Sequence, residues 1–271
     1  MKPAPFEYAR PQTVEEAVRL LATTPDAKVL AGGQTLGPML NLRLAQPALL
    51  VDITRIPELA AVSEGADAVT IGATVTHAAI EDGRVPDPTG GFLAKVARGI
   101  AYRAVRTRGT IGGSLAHADP AADWLSCLAA LGAQVVIAGS KGTRSEPLVR
   151  FVRGALETGL ADTELLTAVR IPRFSRGARF GFHKICRKTG EFADAIGVAA
   201  HDRERHLTRL VASTTGGGPI VVEDVPLVGA RPPDVGDLQL RFTQAGFDGD
   251  AYDLKLHATA VRRAIQQVLD A

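Results

Sequence analysis

The chain has 271 residues, of which 46% are hydrophobic and 22% charged, and its formal net charge is +2 at pH 7. This length and composition fit a globular protein with a sizeable core in two or three lobes, and exclude a disordered chain. The nearly balanced charge excludes the concentrated basic face of a nucleic-acid-binding protein. Cys127 and Cys186 are far apart and outside any C-x-x-C pattern, so this chain alone builds neither a four-cysteine zinc site nor an iron–sulfur cluster.

The N-terminal residues Met1–Tyr8 contain no apolar signal core. The most apolar window, residues 127–139, is too short to cross a bilayer and contains Gln134. We therefore expect a cytoplasmic protein without a membrane span.

The first elements predict a compact βαβ unit around a glycine pair. Thr13 and Glu16 form a capping-box pattern at the start of a helix, and residues 28–31 and 48–53 read as strands. Between them, Gly32-Gly33-Gln34-Thr35 leads into a helix with Pro38 in its first turn. Anions bind at such a helix mouth because its N–H groups are unpaired. Plain packing explains the apolar residues here, but not the polar pair that follows the glycines.

The next stretch predicts a strand over 68–73, a helix opened by Thr76, a surface loop over 83–91 and a helix through Phe92, Val96 and Ile100. Three arginines, Arg103, Arg106 and Arg108, then precede Gly109 and the segment Thr110-Ile111-Gly112-Gly113-Ser114. We interpret the arginines mainly as a solvated face that assists a pyrophosphate electrostatically. We interpret the glycine segment as a tight turn that exposes backbone N–H groups and two hydroxyls to a phosphate. Two such turns could clasp a diphosphate, although two ordinary turns remain the alternative.

The remaining elements do not alternate with a regular βαβ rhythm, which favours an α+β fold. A helix is predicted over 125–131 and strands over 134–138 and 165–171, followed by a linker at 172–177. Beyond the linker, strands of a smaller sheet are predicted over 180–186, 195–200 and 210–214. The chain ends in an amphipathic helix over 251–269.

Other site chemistries are disfavoured by spacing. The chain contains neither the G-x-G-x-x-G of a dinucleotide fold nor a Walker A sequence. Gly112-Gly113-Ser114-Leu115-Ala116 only approaches a hydrolase elbow, and it follows basic residues where an elbow needs a buried strand. Asp119 and Asp123 can be read as paired acid–base carboxylates, but a turn residue before Pro120 and a helix N-cap explain them equally well. His77, His183, His201, His206 and His257 show no metal-ligand spacing.

An ordered set of motifs covers nearly the whole chain and resembles one family. The set is Ala31-Gly32-Gly33-Gln34-Thr35-Leu36, residues 38–44, Val51-Asp52-Ile53, residues 108–114, Glu164-Leu165-Leu166-Thr167, Ile171-Pro172, Lys184-Ile185, residues 190–193 and Val261-Arg262-Arg263-Ala264. It resembles the FAD-binding (medium) subunit of molybdenum hydroxylases, the xanthine dehydrogenase and carbon monoxide dehydrogenase family. The resemblance implies an α+β fold: a two-part FAD-binding domain of the vanillyl-alcohol-oxidase/PCMH type, followed by a small C-terminal α/β domain with an antiparallel sheet. The implied parts are residues 1–55, 56–172 and 173–271, the last covering the flavin.

The resemblance also implies the residues that bind FAD. They are Val29, Leu30, Ala31, Gly32, Gly33, Gln34, Thr35, Leu36, Ile100, Ala101, Thr110, Gly112, Gly113, Ser114, His117, Asp123, Leu165, Leu166, Lys184 and Phe192. For His117 a hydrogen bond to FAD and a structural role both remain open, and Leu165 and Leu166 could instead be strand core. Lys184 falls where relatives place a lysine that stabilises negative charge on the isoalloxazine. Thr35 stands where bacterial relatives often have serine, and Phe192 where many have tyrosine, which leaves the gating role of that residue open.

The implied function is electron transfer within a heterotrimeric oxidoreductase, with no catalytic residue in this chain. A large partner subunit would carry the molybdopterin-type molybdenum cofactor and bind the substrate, and a small partner would carry 2Fe–2S clusters. The FAD of this chain would take electrons from those clusters and deliver them to an external acceptor, which could be NAD, quinone, oxygen or a carrier protein. The family assembly is a dimer of heterotrimers. The alternatives are a free-standing flavin oxidoreductase and a structural subunit that has lost FAD.

Overall fold

A computed structural model describes residues 2–214, 216–227 and 231–271. The helices are α1 (Val14–Thr23), α2 (Leu36–Asn41), α3 (Pro57–Ala60), α4 (His77–Glu81), α5 (Phe92–Arg98), α6 (Arg103–Arg106), α7 (Ile111–His117), α8 (Asp123–Ala130), α9 (Leu148–Phe151), α10 (Val235–Gln244) and α11 (Ala251–Leu269). The strands are β1 (Glu7–Ala9), β2 (Ala27–Leu30), β3 (Leu49–Asp52), β4 (Val62–Glu64), β5 (Ala68–Gly72), β6 (Gln134–Gly139), β7 (Gly142–Pro147), β8 (Val152–Gly154), β9 (Glu157–Thr158), β10 (Leu165–Pro172), β11 (Arg179–Ile185), β12 (Ala195–Asp202), β13 (Leu207–Ala212) and β14 (Ile220–Glu223).

The N-terminal sheet is parallel, in the order β1-β3-β2, and contains the predicted βαβ unit. Thr13 caps α1 by accepting a hydrogen bond from the N–H of Glu16, as its capping-box pattern predicts. Parallel strands bring their carboxyl ends to one edge of a sheet. The chain therefore leaves β2 at that edge directly into the first glycine pair, and α2 begins at Leu36.

The central sheet is antiparallel, in the order β4-β5-β10-β6-β7, and confirms the α+β prediction for this part. The helix α8 packs between this region and the C-terminal sheet. Its eight residues are all buried, because it is covered on every side.

The C-terminal sheet is antiparallel, in the order β11-β12-β13-β14, with α11 packed across β11 and β12. The helix lies very close to the sheet at two glycines. A Cβ atom at Gly181 would stand 1.9 Å from the carbonyl oxygen of Ala264, and one at Gly197 would stand 2.2 Å from the backbone nitrogen of Val261. This contact explains the Val261–Ala264 motif as a packing signal.

Three sequence predictions need correction or addition. The segment 110–114 is not a tight turn, because residues 111–117 form α7 and the glycines at 112 and 113 do not have positive φ. Ile100 lies just beyond the end of α5, which stops at Arg98. The sequence predictions do not include β1, β4, β7, β8, β9, β14, α3, α6, α9 or α10; all of these except α10 have six residues or fewer, and α10 buries only Leu238 and Phe242.

Candidate functional site

The first glycine segment lies in direct contact with the backbone that leads into the second one. A Cβ atom at Gly32 would stand 2.0 Å from the carbonyl oxygen of Arg108 and 2.9 Å from the Cα of Gly109. Only glycine permits this approach, because any other residue would place its side chain inside the neighbouring backbone. The structure thus brings together the two segments that the sequence analysis paired.

The first segment presents a run of backbone donors. No acceptor among the described residues meets the N–H groups of residues 32–36, which follow β2 and open α2. Gly33 has φ of +69°, a left-handed conformation that turns the chain here. Gln34 and Thr35 are exposed, and the Gln34 amide donates to the carbonyl of Gly32. Successive unpaired N–H groups in such a turn form a concavity that suits a phosphate or a diphosphate.

In the second segment the N–H groups of residues 111–113 are already paired, which corrects the expectation of a symmetric two-turn clasp. The N–H groups of Ile111 and Gly112 donate to the carbonyls of Val75 and Ala73, at 3.0 Å in each case. The N–H of Gly113 donates to the Thr110 hydroxyl at 3.0 Å, which caps α7. These donors are already satisfied inside the protein, so they are not available to a ligand.

The glycines of the second segment serve close packing instead. A Cβ at Gly112 would stand 2.5 Å from the Cβ of Ala73, so Gly112 allows α7 to begin against the end of β5. Gly113 is exposed, and the Ser114 side chain is partly exposed beside it. His117 is the last residue of α7 rather than part of a loop, and is also partly exposed. This segment can offer a ligand a bare backbone surface and the Ser114 hydroxyl.

Lys184 and Asp123 form an ion pair between the C-terminal sheet and α8. Nζ of Lys184 lies 2.9 Å from Oδ1 of Asp123, and both side chains are about nine-tenths buried. The same ammonium donates to the carbonyl of Gly99 at 3.0 Å. Oδ1 of Asp123 receives no well-directed hydrogen bond from the described residues, so the pair is mainly electrostatic. Burial raises the pKa of Asp123, and the neighbouring ammonium opposes this effect.

The arginines of the central stretch are not all a solvated face. Arg103 is about half exposed, whereas Arg106 is buried, and both bind carboxylates on α4. Arg103 contacts Glu81 and Asp82, and Arg106 binds Glu81 through two nitrogens at 2.8 and 3.1 Å. The bound guanidinium groups hold the pKa of Glu81 below its usual value. The bound carboxylates therefore neutralise the charges of Arg103 and Arg106, which weakens the predicted long-range electrostatic attraction to a pyrophosphate.

The loop after β11 lies against the residues that follow α5. A Cβ at Gly190 would stand 3.1 Å from the carbonyl oxygen of Ala101 and 3.2 Å from the ring of Tyr102. Phe192, two residues later, is 69% exposed. Its ring therefore packs on little of this chain and is free to cover a bound molecule.

Leu165 and Leu166 begin β10 and are both almost fully buried. Leu165 packs with the apolar residues around α1 and β3, and Leu166 packs with the core of the central sheet. Their opposite directions follow from strand geometry. The packing favours the alternative in which their side chains are strand core.

His77 is a core histidine, as the lack of a metal-ligand pattern suggested. Its Nδ1 accepts a hydrogen bond from the Trp124 indole at 3.0 Å, and its ring lies against Gly109, where a Cβ would approach Nε2 to 2.9 Å. Burial, with a smaller effect of the Arg106 charge, lowers the pKa of His77 to about 4. The neutral ring supports the backbone just before the second glycine segment.

The described residues contain no group of three or more His, Cys, Asp or Glu side chains arranged to hold a metal ion. Within the same ranges, no helix has the length and apolar composition needed to cross a membrane. Two surface hollows of about 270 and 360 Å³ lie elsewhere, the first around His201 and His206 and the second around Gly132 and Arg209. Neither hollow is lined by residues of the glycine segments.

Residues 4–174 match the model of the FAD-binding domain in molybdopterin dehydrogenase. This chain belongs to that family. It is 36% identical to caffeine dehydrogenase subunit beta of Pseudomonas sp. (strain CBB1) over 81% of its own length and 76% of that protein. It is 41% identical to the carbon monoxide dehydrogenase medium chain of Hydrogenophaga pseudoflava over 72% of its length and 68% of that protein.

The fold comparison agrees over the whole chain. A solved structure of carbon monoxide dehydrogenase from Hydrogenophaga pseudoflava, which lacks the Mo-pyranopterin moiety of the molybdenum cofactor, matches with a TM-score of 0.85 and 31% identity. The match covers 100% of this chain and 99% of that one. The expected family, fold class and cofactor are therefore confirmed: this chain is an FAD-binding oxidoreductase subunit of the molybdenum hydroxylase family.

The residues of this site fit the cofactor that the family implies. The free N–H groups of residues 32–36 can bind a diphosphate, and the glycines allow it to approach the backbone. Lys184 and the exposed ring of Phe192 supply a buried cation and an aromatic surface on the side of the C-terminal sheet. The structure adds Glu81 to the site and gives structural roles to Arg106, predicted as part of a solvated face, and to His77. No sequence signal links Glu81 to Arg106, because the two residues lie 25 positions apart.

Proposed function

We propose that this chain is the electron-transfer subunit of a heterotrimeric molybdenum hydroxylase, receiving electrons from 2Fe–2S clusters of a small partner. A large partner would carry the molybdenum cofactor and oxidise the substrate, and an external molecule would accept the electrons from this subunit. The names of the relatives, which include medium chains and a subunit beta, support an assembly of several chains. Bound FAD supplies reversible uptake and release of electrons.

One observation carries the proposal. The site offers backbone N–H groups that can bind an anion, but few side chains that could act as a general acid or base. The described residues offer N–H donors at 32–36, and the buried ionic groups Lys184 and Asp123 are paired with each other. Electron transfer through a bound flavin needs binding, orientation and tuning of potential rather than a proton-transferring base. The chain's residues are suited to those tasks.

The proposed roles follow the order of the chain. Residues 1–55 would bind the diphosphate through the first glycine segment, residues 56–172 would contribute Ser114 and the segment around Ile100, and residues 173–271 would cover the flavin with Phe192. Lys184 would contribute positive charge near the isoalloxazine, reduced by its pairing with Asp123. Asp123, His117 and Thr35 would add hydrogen bonds to the cofactor.

The proposed assembly is a dimer of heterotrimers in the cytoplasm, with NAD, quinone, oxygen or a carrier protein as the acceptor. The second candidate, a free-standing flavin oxidoreductase, would need a substrate pocket beside the flavin. The names of the relatives, a subunit beta and a medium chain, favour the subunit function. In a structural subunit without FAD, the five unpaired N–H groups of residues 32–36, which include the intact glycine pair, would have no ligand to bind.

The test is a reconstitution. The chain is expressed alone and with its large and small partners, and the reduction of its FAD is followed at 450 nm after substrate is added under anaerobic conditions. We expect substrate to bleach the flavin only in the three-chain complex, whereas dithionite bleaches it in both samples. Bleaching by substrate in the isolated chain would establish the free-standing oxidoreductase instead, and a chain that takes up no FAD in either sample would establish the structural subunit.

A further inference from the structure

Three consecutive carbonyls follow α5, and each accepts a hydrogen bond from a side-chain cation. Lys184 donates to the carbonyl of Gly99 at 3.0 Å. One guanidinium nitrogen of Arg106 donates to the carbonyls of Ile100 and Ala101, at 2.8 and 3.1 Å. The cations therefore turn this short segment so that its carbonyl side faces inward.

The inward carbonyls fix the direction of the N–H groups. The peptide bonds of the segment are trans, so each N–H points away from the carbonyl in the same peptide plane. When Arg106 binds the carbonyls of Ile100 and Ala101, the N–H groups of Ala101 and Tyr102 point away from the guanidinium. Neither N–H meets an acceptor among the described residues. Ala101 is partly and Tyr102 largely exposed, so these donors are accessible to a ligand.

The segment needs external support to keep this conformation. Ala101 has φ of +42°, a left-handed conformation that is unfavourable for a residue with a Cβ. Such a conformation persists only where surrounding contacts enforce it. Arg106 supplies those contacts, and its own position is set by the two-nitrogen pairing with Glu81. Because the guanidinium is buried and both of its sides are bound, it has little freedom to move.

We propose that Arg106 is a positioning residue of the flavin site: held by Glu81, it orients two peptide planes so that the N–H groups of Ala101 and Tyr102 face acceptor atoms of bound FAD. The inference rests on the proposed placement of Ile100 and Ala101 at the cofactor. Arg106 itself does not touch the ligand. Its planar fork is required, since a lysine ammonium cannot bind a carboxylate with two nitrogens and two carbonyls at once.

The chain offers a matched control. Arg103 binds the same carboxylate, Glu81, together with Asp82, but contacts no carbonyl of the segment 99–101. Arg103→Lys therefore changes the same charge network without changing the support of the peptide planes. Glu81→Gln gives a second test, because it removes the negative charge that binds Arg106 but keeps the guanidinium group itself.

The experiment measures the Kd for FAD by quenching of flavin fluorescence, the visible circular dichroism of the bound flavin and the unfolding midpoint of each apoprotein. We expect Arg106→Lys to raise the Kd roughly tenfold to a hundredfold and to change the dichroism band, because the donors are misdirected. Arg103→Lys should stay within about twofold of the unmodified chain in Kd, since it leaves the oriented donors untouched. Glu81→Gln should fall between them.

A substitution that relieves the backbone strain at residue 101 distinguishes a positioning role of Arg106 from a general effect on stability. In the Arg106→Lys chain, Ala101→Gly should recover part of the FAD affinity, because glycine takes positive φ without the Cβ penalty. The same substitution should have a smaller effect on Kd in the unmodified chain, where Arg106 already enforces the conformation.

Equal Kd values and equal dichroism for the Arg106→Lys and Arg103→Lys chains would overturn the proposal, as would a lowered unfolding midpoint with unchanged Kd. If Arg106→Lys does not fold, an unchanged Kd in the Glu81→Gln chain has the same consequence. Failure of the unmodified chain to bind FAD would instead contradict the proposed function.

Discussion

Replacement of Gly32 by alanine tests the contact between the two glycine segments. The new Cβ would stand 2.0 Å from the carbonyl oxygen of Arg108 and 2.7 Å from its carbonyl carbon. Both neighbours are backbone atoms, so no side chain can rotate away to make room. The first glycine segment must therefore move relative to residues 108–109, or the protein must open locally.

The size of this movement follows from ordinary contact distances. A carbon and an oxygen that are not bonded approach to roughly 3.3 Å, so the separation must grow by about 1.3 Å. Overpacking of this kind costs about 1–3 kcal/mol of folding free energy. A displacement of about 1 Å at a binding site lowers function by up to roughly a hundredfold. We expect the Kd for FAD to rise at least tenfold, about 1.4 kcal/mol of binding free energy.

Gly37→Ala is the matched control for this substitution. Gly37 lies in α2, a few residues beyond Gly32, and a Cβ there would meet no atom within 4 Å. Alanine in a helix interior is up to about 1 kcal/mol more favourable than glycine. The control chain should therefore be as stable as the unmodified chain or slightly more so, with an unchanged Kd for FAD.

The assay is a titration of each apoprotein with FAD, followed by fluorescence quenching, with urea unfolding of the same samples. The reasoning requires Gly32→Ala to weaken FAD binding while Gly37→Ala does not. Equal affinity in the two chains would show that close approach of the two glycine segments does not shape the site. Equal weakening in both would show that any side chain near the segment disturbs the ligand.

Three further predictions concern titration, the buried ion pair and the exposed ring. The pKa of His77 is lowered to about 4, so the unfolded chain binds a proton at this histidine more readily than the folded chain does. The contribution of the neutral His77 to the free energy of unfolding should be fully present above pH 6.5 and should fall by about 3 kcal/mol as the pH drops toward 4. Urea unfolding from pH 7 to pH 4.5 should show a weaker decline of the unfolding free energy in the His77→Gln chain than in the unmodified chain; an equal decline would contradict the assignment. Asp123→Asn leaves the Lys184 ammonium buried without its partner, which should lower the free energy of unfolding in urea by about 3–5 kcal/mol. Adding Lys184→Met to this chain should restore part of the lost free energy. Strictly additive losses in the double variant would refute the coupling between the two residues. Phe192→Ala should change the unfolding free energy of the apoprotein by less than about 0.5 kcal/mol, because the ring is exposed, but should raise the fluorescence of bound FAD; quenching equal to that of the unmodified chain would exclude contact between ring and flavin.

The sequence by itself determined the local elements and the family. Alternating and helical apolar patterns located the βαβ unit, the central-sheet strands β5, β6 and β10 and the final helix, because these patterns depend on residues close together in the chain. The ordered motifs identified the family, and three of their glycines occupy a geometry that requires glycine: positive φ at Gly33, and contact with another backbone at Gly32 and Gly112. Such glycines can be recognised in the sequence without knowledge of the residues that they contact.

Only the tertiary structure decided which groups are free to bind a ligand. Both glycine segments have similar sequences, yet the N–H groups at 32–36 are unpaired whereas those at 111–113 are satisfied by Ala73, Val75 and Thr110. The distant partners of the second segment, Ala73 and Val75, follow β5, and local periodicity does not reveal this pairing. Arg106 differs from Arg103 for the same reason: three arginines close together predict a solvated face, but the fold buries one of them against Glu81 and two carbonyls. Hydrogen-bond satisfaction is a property of the packed chain, because each donor is assigned only when distant segments meet.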